Sequence, residues 1–347
     1  MEEEQTEKEY ILNEPRLRAP MPLMNTSYTP GHVMDALDTM RDADCRRIAQ
    51  AEYFYFSGCP KKASEIAEEY LAHDDLALRL SACWIYTYAC LALDRITGAR
   101  QAMAQIRATA EGMDADASQT ELAYAACIAM GANVLLHLPI PPEKFPDSRK
   151  FLPLLPPGLR LFGLYVQAHY AYLQQYGACI GIAETALSIE STLYPIPTIY
   201  LHLAATMGYI NLRQTEKARE HLLEAWEIAR PDGLIEAFGE HHGLLGGMLE
   251  AVLRKDYPDD FRRIIDITYR FSAGWRKIHN PDTGRQVADD LTTMEFTIAM
   301  LAARGWSNKE IGAHLHISPN TVKMHISSVL RRLDIPTRKE LAKYMLE

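Results

Sequence analysis

The stretch 291–345 constrains this chain more than any other, because four helix starts are written into it. Thr292 and Glu295, Ser307 and Glu310, and Thr337 and Glu340 each hold the S/T-x-x-E spacing of a capping box. In that arrangement the hydroxyl accepts from the N3 amide and the carboxylate accepts from the cap amide. The fourth start is Ser318-Pro319, a cap residue followed by proline at the first helical position, where a missing N–H costs nothing. Gly305 can supply the positive φ that ends the first helix, and Pro336 separates the last two.

The short turn His316-Ile317 between the second and third helices is a helix-turn-helix signature. Ile298, Leu301, Ile311, Leu315, Ile317, Val322, Ile326, Val329 and Leu333 recur at helical spacing and predict one small core. The third helix, 318–333, carries Lys323, Arg331 and Arg332 and no carboxylate, within a chain of net charge −9. Such a helix invites a polyanion. Helical geometry puts Lys323, Met324 and Ser327 on one exposed face, with Val322, Ile326 and Val329 turned to the core. Lys323 can donate to guanine O6 and N7, and Met324 can pack on a thymine methyl. Asn320 and Thr321, at the positive end of the helix, suit phosphate oxygens. Arg331 and Arg332 lie further along, toward the DNA backbone or solvent, and Lys309 is a further cation for DNA on the second helix. Use of this motif for protein contact alone is the weaker reading, since capping, core and cations agree.

The run Ser307-Asn308-Lys309-Glu310-Ile311, then Ile317-Ser318, Thr321-Val322-Lys323, His325, Leu333 and Arg338, resembles the DNA-binding domain of LuxR-type (GerE-like) bacterial transcription regulators. The resemblance covers about the last sixth of the chain. Two positions depart from it: Ala299 replaces a large aliphatic, with Phe296 as an offset, and Gly312 replaces an alanine at a cost of roughly 1 kcal/mol to its helix. The resemblance implies binding to double-stranded DNA and a supporting role for His325. It also implies a homodimer formed through Leu341, Tyr344 and Met345 of the fourth helix, which would read an inverted repeat. RNA polymerase is a further partner implied by the resemblance.

At 347 residues the chain is long enough for two or more domains. Charge is uneven: residues 288–347 hold 8 Lys/Arg against 7 Asp/Glu, leaving 28 against 38 in the remainder. The larger part therefore repels nucleic acid, and the small domain must make the contact. No apolar run of about 18 residues occurs, so no membrane span is expected. The acidic start lacks an apolar signal region, and the six cysteines include no C-x-x-C pair. Both fit a cytoplasmic protein with reduced, mostly buried thiols.

Residues 1–30 mix charge with four prolines and predict a flexible arm. From about 31 to 279 the periodicity is helical. Small or aliphatic residues recur with apolar partners nine before and seven after: Ala63, Ala99, Ile182 and Ala218, two of the intervals being 36 residues. That spacing predicts helical hairpins in series, close to the tetratricopeptide period. The segment 138–158 holds seven prolines and reads as a surface loop. The region 198–278, with the turn-rich linker 280–290, resembles the repeat region preceding the LuxR-type domain in MalT-like regulators. Those relatives carry an ATPase module; no G-x-x-x-x-G-K-[ST] occurs in this sequence, so their ATP-driven switch is not carried over.

Other constellations are weaker. His241 and His242 point about 100° apart on a helix and do not chelate together, so no metal or cofactor is assigned. Tyr86, Tyr88, Tyr165, Tyr170, Tyr172 and Tyr176 read as core and rim rather than a ligand cavity. Nothing forces catalysis. The expectation is an all-α chain, a tetratricopeptide-like helical-repeat domain (31–279) followed by a four-helix LuxR-type domain (291–347). It would be a DNA-binding regulator whose repeats take a small-molecule or protein effector on a concave surface. The alternative is a repeat scaffold recruited to DNA. Acidic repeats on a ten-residue tether can also lie over Lys323, Arg331 and Arg332 and mask them.

Overall fold

A computed structural model describes residues 17–113, 117–136, 147–172, 175–279 and 291–341. Helix is the only regular structure among them. In chain order the helices are α1 (Val33–Thr39), α2 (Ala43–Phe56), α3 (Pro60–Glu68), α4 (Leu76–Ala92), α5 (Ile96–Glu111), α6 (Gln119–Leu135) and α7 (Ser148–Phe151). Next come α8 (Pro157–Tyr172), α9 (Tyr176–Ile189), α10 (Pro195–Asn211), α11 (Thr215–Ala229), α12 (Glu236–His241), α13 (Met248–Val252) and α14 (Pro258–His279). The last three are α15 (Thr293–Ala303), α16 (Asn308–His314) and α17 (Pro319–Arg332).

The pairs α2/α3, α4/α5, α8/α9 and α10/α11 pack as hairpins in series. Their first helices start on strong local signals. Asp42 and Asp75 accept backbone amides at the starts of α2 and α4, and Pro195 opens α10. The second helices α3, α5, α9 and α11 have no side-chain cap. Packing holds them instead. Ala63, Ala99, Ala183 and Ala218 are fully buried, each letting its helix approach a neighbour closely. The expected residue in the third unit, Ile182, is only half-buried; the register falls one later, on Ala183. Gly208 makes room there, since a Cβ on it would lie 2.5 Å from Ile180.

The repeat core is aromatic. Tyr55, Trp84, Phe162, Tyr165 and Tyr200 are buried in edge-to-face or tilted contact, Tyr55 and Trp84 at 5.8 Å. Of the tyrosines picked out above, Tyr88, Tyr165 and Tyr172 are core, while Tyr170 and Tyr176 are exposed. All six cysteines are free, and four are buried.

Two expectations change. Residues 17–30 are not a flexible arm. Met21, Leu23 and Met24 are buried, and the amides of Leu23 and Met24 donate to Glu52 of α2 at 2.9 and 3.0 Å. Met21 N–H donates to Ser81 of α4, and Asn25 accepts from Leu159 of α8. The segment thus packs against three hairpins at once. Residues 1–16 lie outside the described residues. In the proline-rich segment, 147–156 holds a short helix and a 3-10 turn anchored by buried Phe151 and Leu155, and α8 begins at Pro157, so this part is not a surface loop. The rest of that segment, 138–146, and the expected linker 280–290 also lie outside the described residues.

The long helix α14 packs across α12 and α4, where a Cβ on Gly274 would meet the Leu91 carbonyl oxygen at 2.2 Å. The chain after it builds a second, separate core from Ile298, Leu301, Ile311, Val322, Ile326, Val329 and their neighbours.

Candidate nucleic-acid interface

The small core exists because its helices start where the capping residues stand. Thr292 accepts from Glu295 N–H and Glu295 accepts from Thr292 N–H, and Ser307 and Glu310 repeat the exchange. Ser318 accepts from Thr321 N–H at 3.0 Å with Pro319 next to it. The third box is incomplete. Thr337 bonds the Glu340 carboxylate but caps no amide, and a 3-10 turn, Arg338–Glu340, leads into Leu341, the last of the described residues. Gly305 takes φ +80 after α15, as expected. A Cβ on Gly312 would lie 2.7 Å from the Ile317 carbonyl oxygen. The glycine that weakens α16 therefore admits the tight turn into α17. Arg338 reaches back to Asn308 and the Trp306 carbonyl, closing the domain.

On α17, Val322, Ile326 and Val329 are buried. Asn320, Lys323, Met324, Ser327 and Arg331 are exposed, Met324 by 73%. Together with Thr321 they line one shallow depression along the helix. Lys309 is exposed at the start of α16 but outside that depression. His325 and Ser328 line it too, as does Glu295. The sequence marked Glu295 only as a cap partner. Its carboxylate also faces α17, 3.6 Å from Arg332. Burial alone would raise the Glu295 carboxyl, but Ser328, Thr292 and Arg332 outweigh it and hold the group below its ordinary value of 4.5. Arg332 is thereby engaged, while Lys323 and Arg331 have no ion pair among the described residues.

The expected dimer face is corrected in part. Leu341 is 0% exposed and belongs to the domain's own core, so it presents nothing to a partner. Tyr344 and Met345 lie outside the described residues.

The opposite face of the domain docks on the repeats. Arg213, just after α10, pairs with Glu310 at 2.8 Å and donates to the Gly305 carbonyl. Arg304 donates to the Tyr172 hydroxyl at 3.2 Å. Thr297 donates to Glu250 at 3.4 Å, and His314 Nε2 lies 3.0 Å from the Gly246 carbonyl. Gly247, at φ +81, lets the Leu315 and Thr297 side chains lie against its backbone, since a Cβ there would be 2.6 Å from both. The glycine cluster 243–247 thus serves close packing between the two parts. Beneath it His242 and Glu250 form a buried pair at 2.7 Å. The masking arrangement is not observed: α15 and α16 meet the repeats, and the exposed row on α17 faces away.

Residues 289–345 match the family described as bacterial regulatory proteins, luxR family. The transcriptional regulatory protein LiaR of Bacillus subtilis is 45% identical over 56 residues, 16% of this chain and 26% of its own length. The response regulator protein VraR of Staphylococcus saprophyticus is 39% identical over 113 residues, 31% of this chain and 54% of its own. That of Staphylococcus aureus is 39% identical over 57 residues, 16% and 27%. The chain thus spans between a quarter and about half of the length of these relatives. No solved structure matches. With its capped helices, tight turn and separate core, the stretch 289–345 is a helix-turn-helix domain of the luxR family, carried behind a series of helical hairpins.

Proposed function

We propose that this chain regulates transcription by placing α17 in the major groove of promoter DNA. One observation carries the reading: the exposed row Asn320, Lys323, Met324, Ser327 and Arg331 faces away from the repeats while Val322, Ile326 and Val329 on the same helix are buried. Lys323 donates to a guanine edge, Met324 packs on a thymine methyl, and Ser327 completes the reading face. Asn320, Arg331 and Lys309 hold phosphates and set the register. Thr321 keeps its hydroxyl within 2.8 Å of the Ser318 hydroxyl and its amide on the same cap, so it positions the helix start, whose positive end favours phosphate. The printed names of the relatives, transcriptional regulatory and response regulator proteins, support a regulatory role. A homodimer would read two half-sites about one helical turn apart. The helical repeats act as the input, taking an effector or partner that biases the whole.

Fluorescence anisotropy with a selected duplex and a scrambled one tests the reading. Specific binding is expected, with log K falling linearly as log salt rises, because phosphate contacts release counterions. Equal affinity for both duplexes at physiological salt would refute sequence-specific regulation.

A further inference from the structure

The repeats hold a side-chain cluster that DNA binding does not use. His202 sits on the inner face of α10, its side chain 9% exposed. His221 and Glu224 stand three apart on α11 and so share the face turned toward α10. His202 Nδ1 lies 3.0 Å from His221 Nδ1 and 3.2 Å from Glu224 Oε2. One donor atom from each residue lies within 4.8 Å of the others. A tetrahedral zinc ion with bonds of about 2.0–2.1 Å sets its ligands roughly 3.3–3.4 Å apart. The two edges from His202, 3.0 and 3.2 Å, are within a few tenths of an ångström of that.

The surroundings are those of a ligand set. Glu184 Oε1 stands 3.5 Å from the other ring nitrogen of His221. A carboxylate in that place fixes the tautomer that leaves Nδ1 free to bind. Tyr209 bonds Glu184, and its ring stacks on His221 with planes 19° apart. His202 and Glu224 also border a cleft shared with Glu190, Thr192 and Thr198. A fourth coordination position would open into it.

We propose that His202, His221 and Glu224 bind a divalent transition-metal ion of the zinc class, with Glu184 orienting His221 from behind. Two imidazoles and one carboxylate favour zinc, nickel or copper over magnesium or calcium, which take oxygen ligands. Three protein ligands leave a position for water or a small-molecule donor from the cleft.

The full chain, stripped with a chelator, is titrated with zinc and separately with cobalt(II) as a spectroscopic stand-in. One equivalent of zinc per chain is expected, with visible cobalt absorption of a low-symmetry site that zinc displaces. His221→Ala and Glu224→Gln should each weaken zinc by at least tenfold, and Glu184→Gln by about 10- to 100-fold, as for outer-shell partners generally. His32→Ala, at an exposed histidine, serves as the control and should change nothing. Glu224 is 63% exposed, so its glutamine variant should keep the wild-type circular dichroism and decide the matter even if His221→Ala unfolds. Absence of stoichiometric zinc in the wild type, or zinc affinity unchanged in folded Glu224→Gln, would overturn the site. The cluster would then be a hydrogen bond between the two histidines and nothing more.

Discussion

The small C-terminal domain has two faces built to opposite rules. The face on the repeats spends its polar groups. Arg213 and Glu310, Arg304 and Tyr172, and Thr297 and Glu250 meet over glycines 246 and 247, where no side chain would fit. The α17 face leaves Lys323 and Arg331 exposed, with an aliphatic thioether, Met324, in water between them. A large apolar group held in solvent beside unneutralised cations is costly to solubility and useful to a groove with methyls and phosphates. The difference teaches that docking and DNA reading do not compete for surface. A signal in the repeats would have to act through orientation or dimer geometry rather than by uncovering α17.

The largest change should come from breaking the docked face at its base. Glu250→Ala leaves His242 buried without its carboxylate, and such losses destabilise by about 3–5 kcal/mol. Denaturant unfolding should show it, while the DNA sequence preference stays as in the wild type. The same pair gives a pH signature. Burial alone would raise the Glu250 carboxyl, but His242 and its hydrogen bond outweigh it and hold the group below 4.5. Its contribution is therefore complete above that value and fades as pH falls below it. The wild type should lose stability through that acid window more steeply than the variant. Parallel curves would show that the pair does not anchor the face.

On the open face, Lys323→Ala should remove roughly 1–3 kcal/mol of base discrimination, whereas Arg331→Ala should weaken all duplexes alike. Neither should move the unfolding midpoint, because both side chains are exposed and unpaired among the described residues. A changed midpoint with an unchanged binding motif would reverse the assignment of the faces. Smaller still is Ser307→Ala, which should cost about 1 kcal/mol by removing a cap. It should do so without altering the site that DNA selects.

The two faces were not equally legible. The α17 row follows from helical periodicity inside 16 residues, and the caps from rules four residues long, so Lys323, Met324 and Ser327 could be placed from the sequence. The docked face joins residues 47 to 132 positions apart, such as Thr297 with Glu250 and Arg304 with Tyr172. No local rule reaches that far. Residues 17–30 misled for the same reason: prolines forbid helix but say nothing of a carboxylate, Glu52, 28 residues on, that pairs with the backbone. Leu341 misled because helical periodicity does not tell a face turned to a partner from one turned into the domain's own core, where Leu341 lies. The histidine–glutamate cluster needed the α10/α11 register, though His221 and Glu224 at i, i+3 were its visible half.

Arg213→Ala should have the smallest effect on stability and the sharpest meaning for the comparison. Arg213 and Glu310 are nearly half exposed, at 47% and 43%, so solvent and salt screen their attraction. Yet the guanidinium also bonds the Gly305 carbonyl and lies 5.9 Å from the Trp306 ring, so its removal loosens the docked edge without touching α17. If docking hid the DNA-reading row, loosening it would raise DNA affinity, most at low salt. Because that row already faces away, the variant's affinity for its preferred duplex should equal the wild type's at every salt concentration. Amide exchange in α16 should quicken in the same variant, showing that the edge was disturbed. Faster exchange together with tighter DNA binding would mean that the repeats restrain the domain after all, by fixing how α17 can approach the groove rather than by covering it.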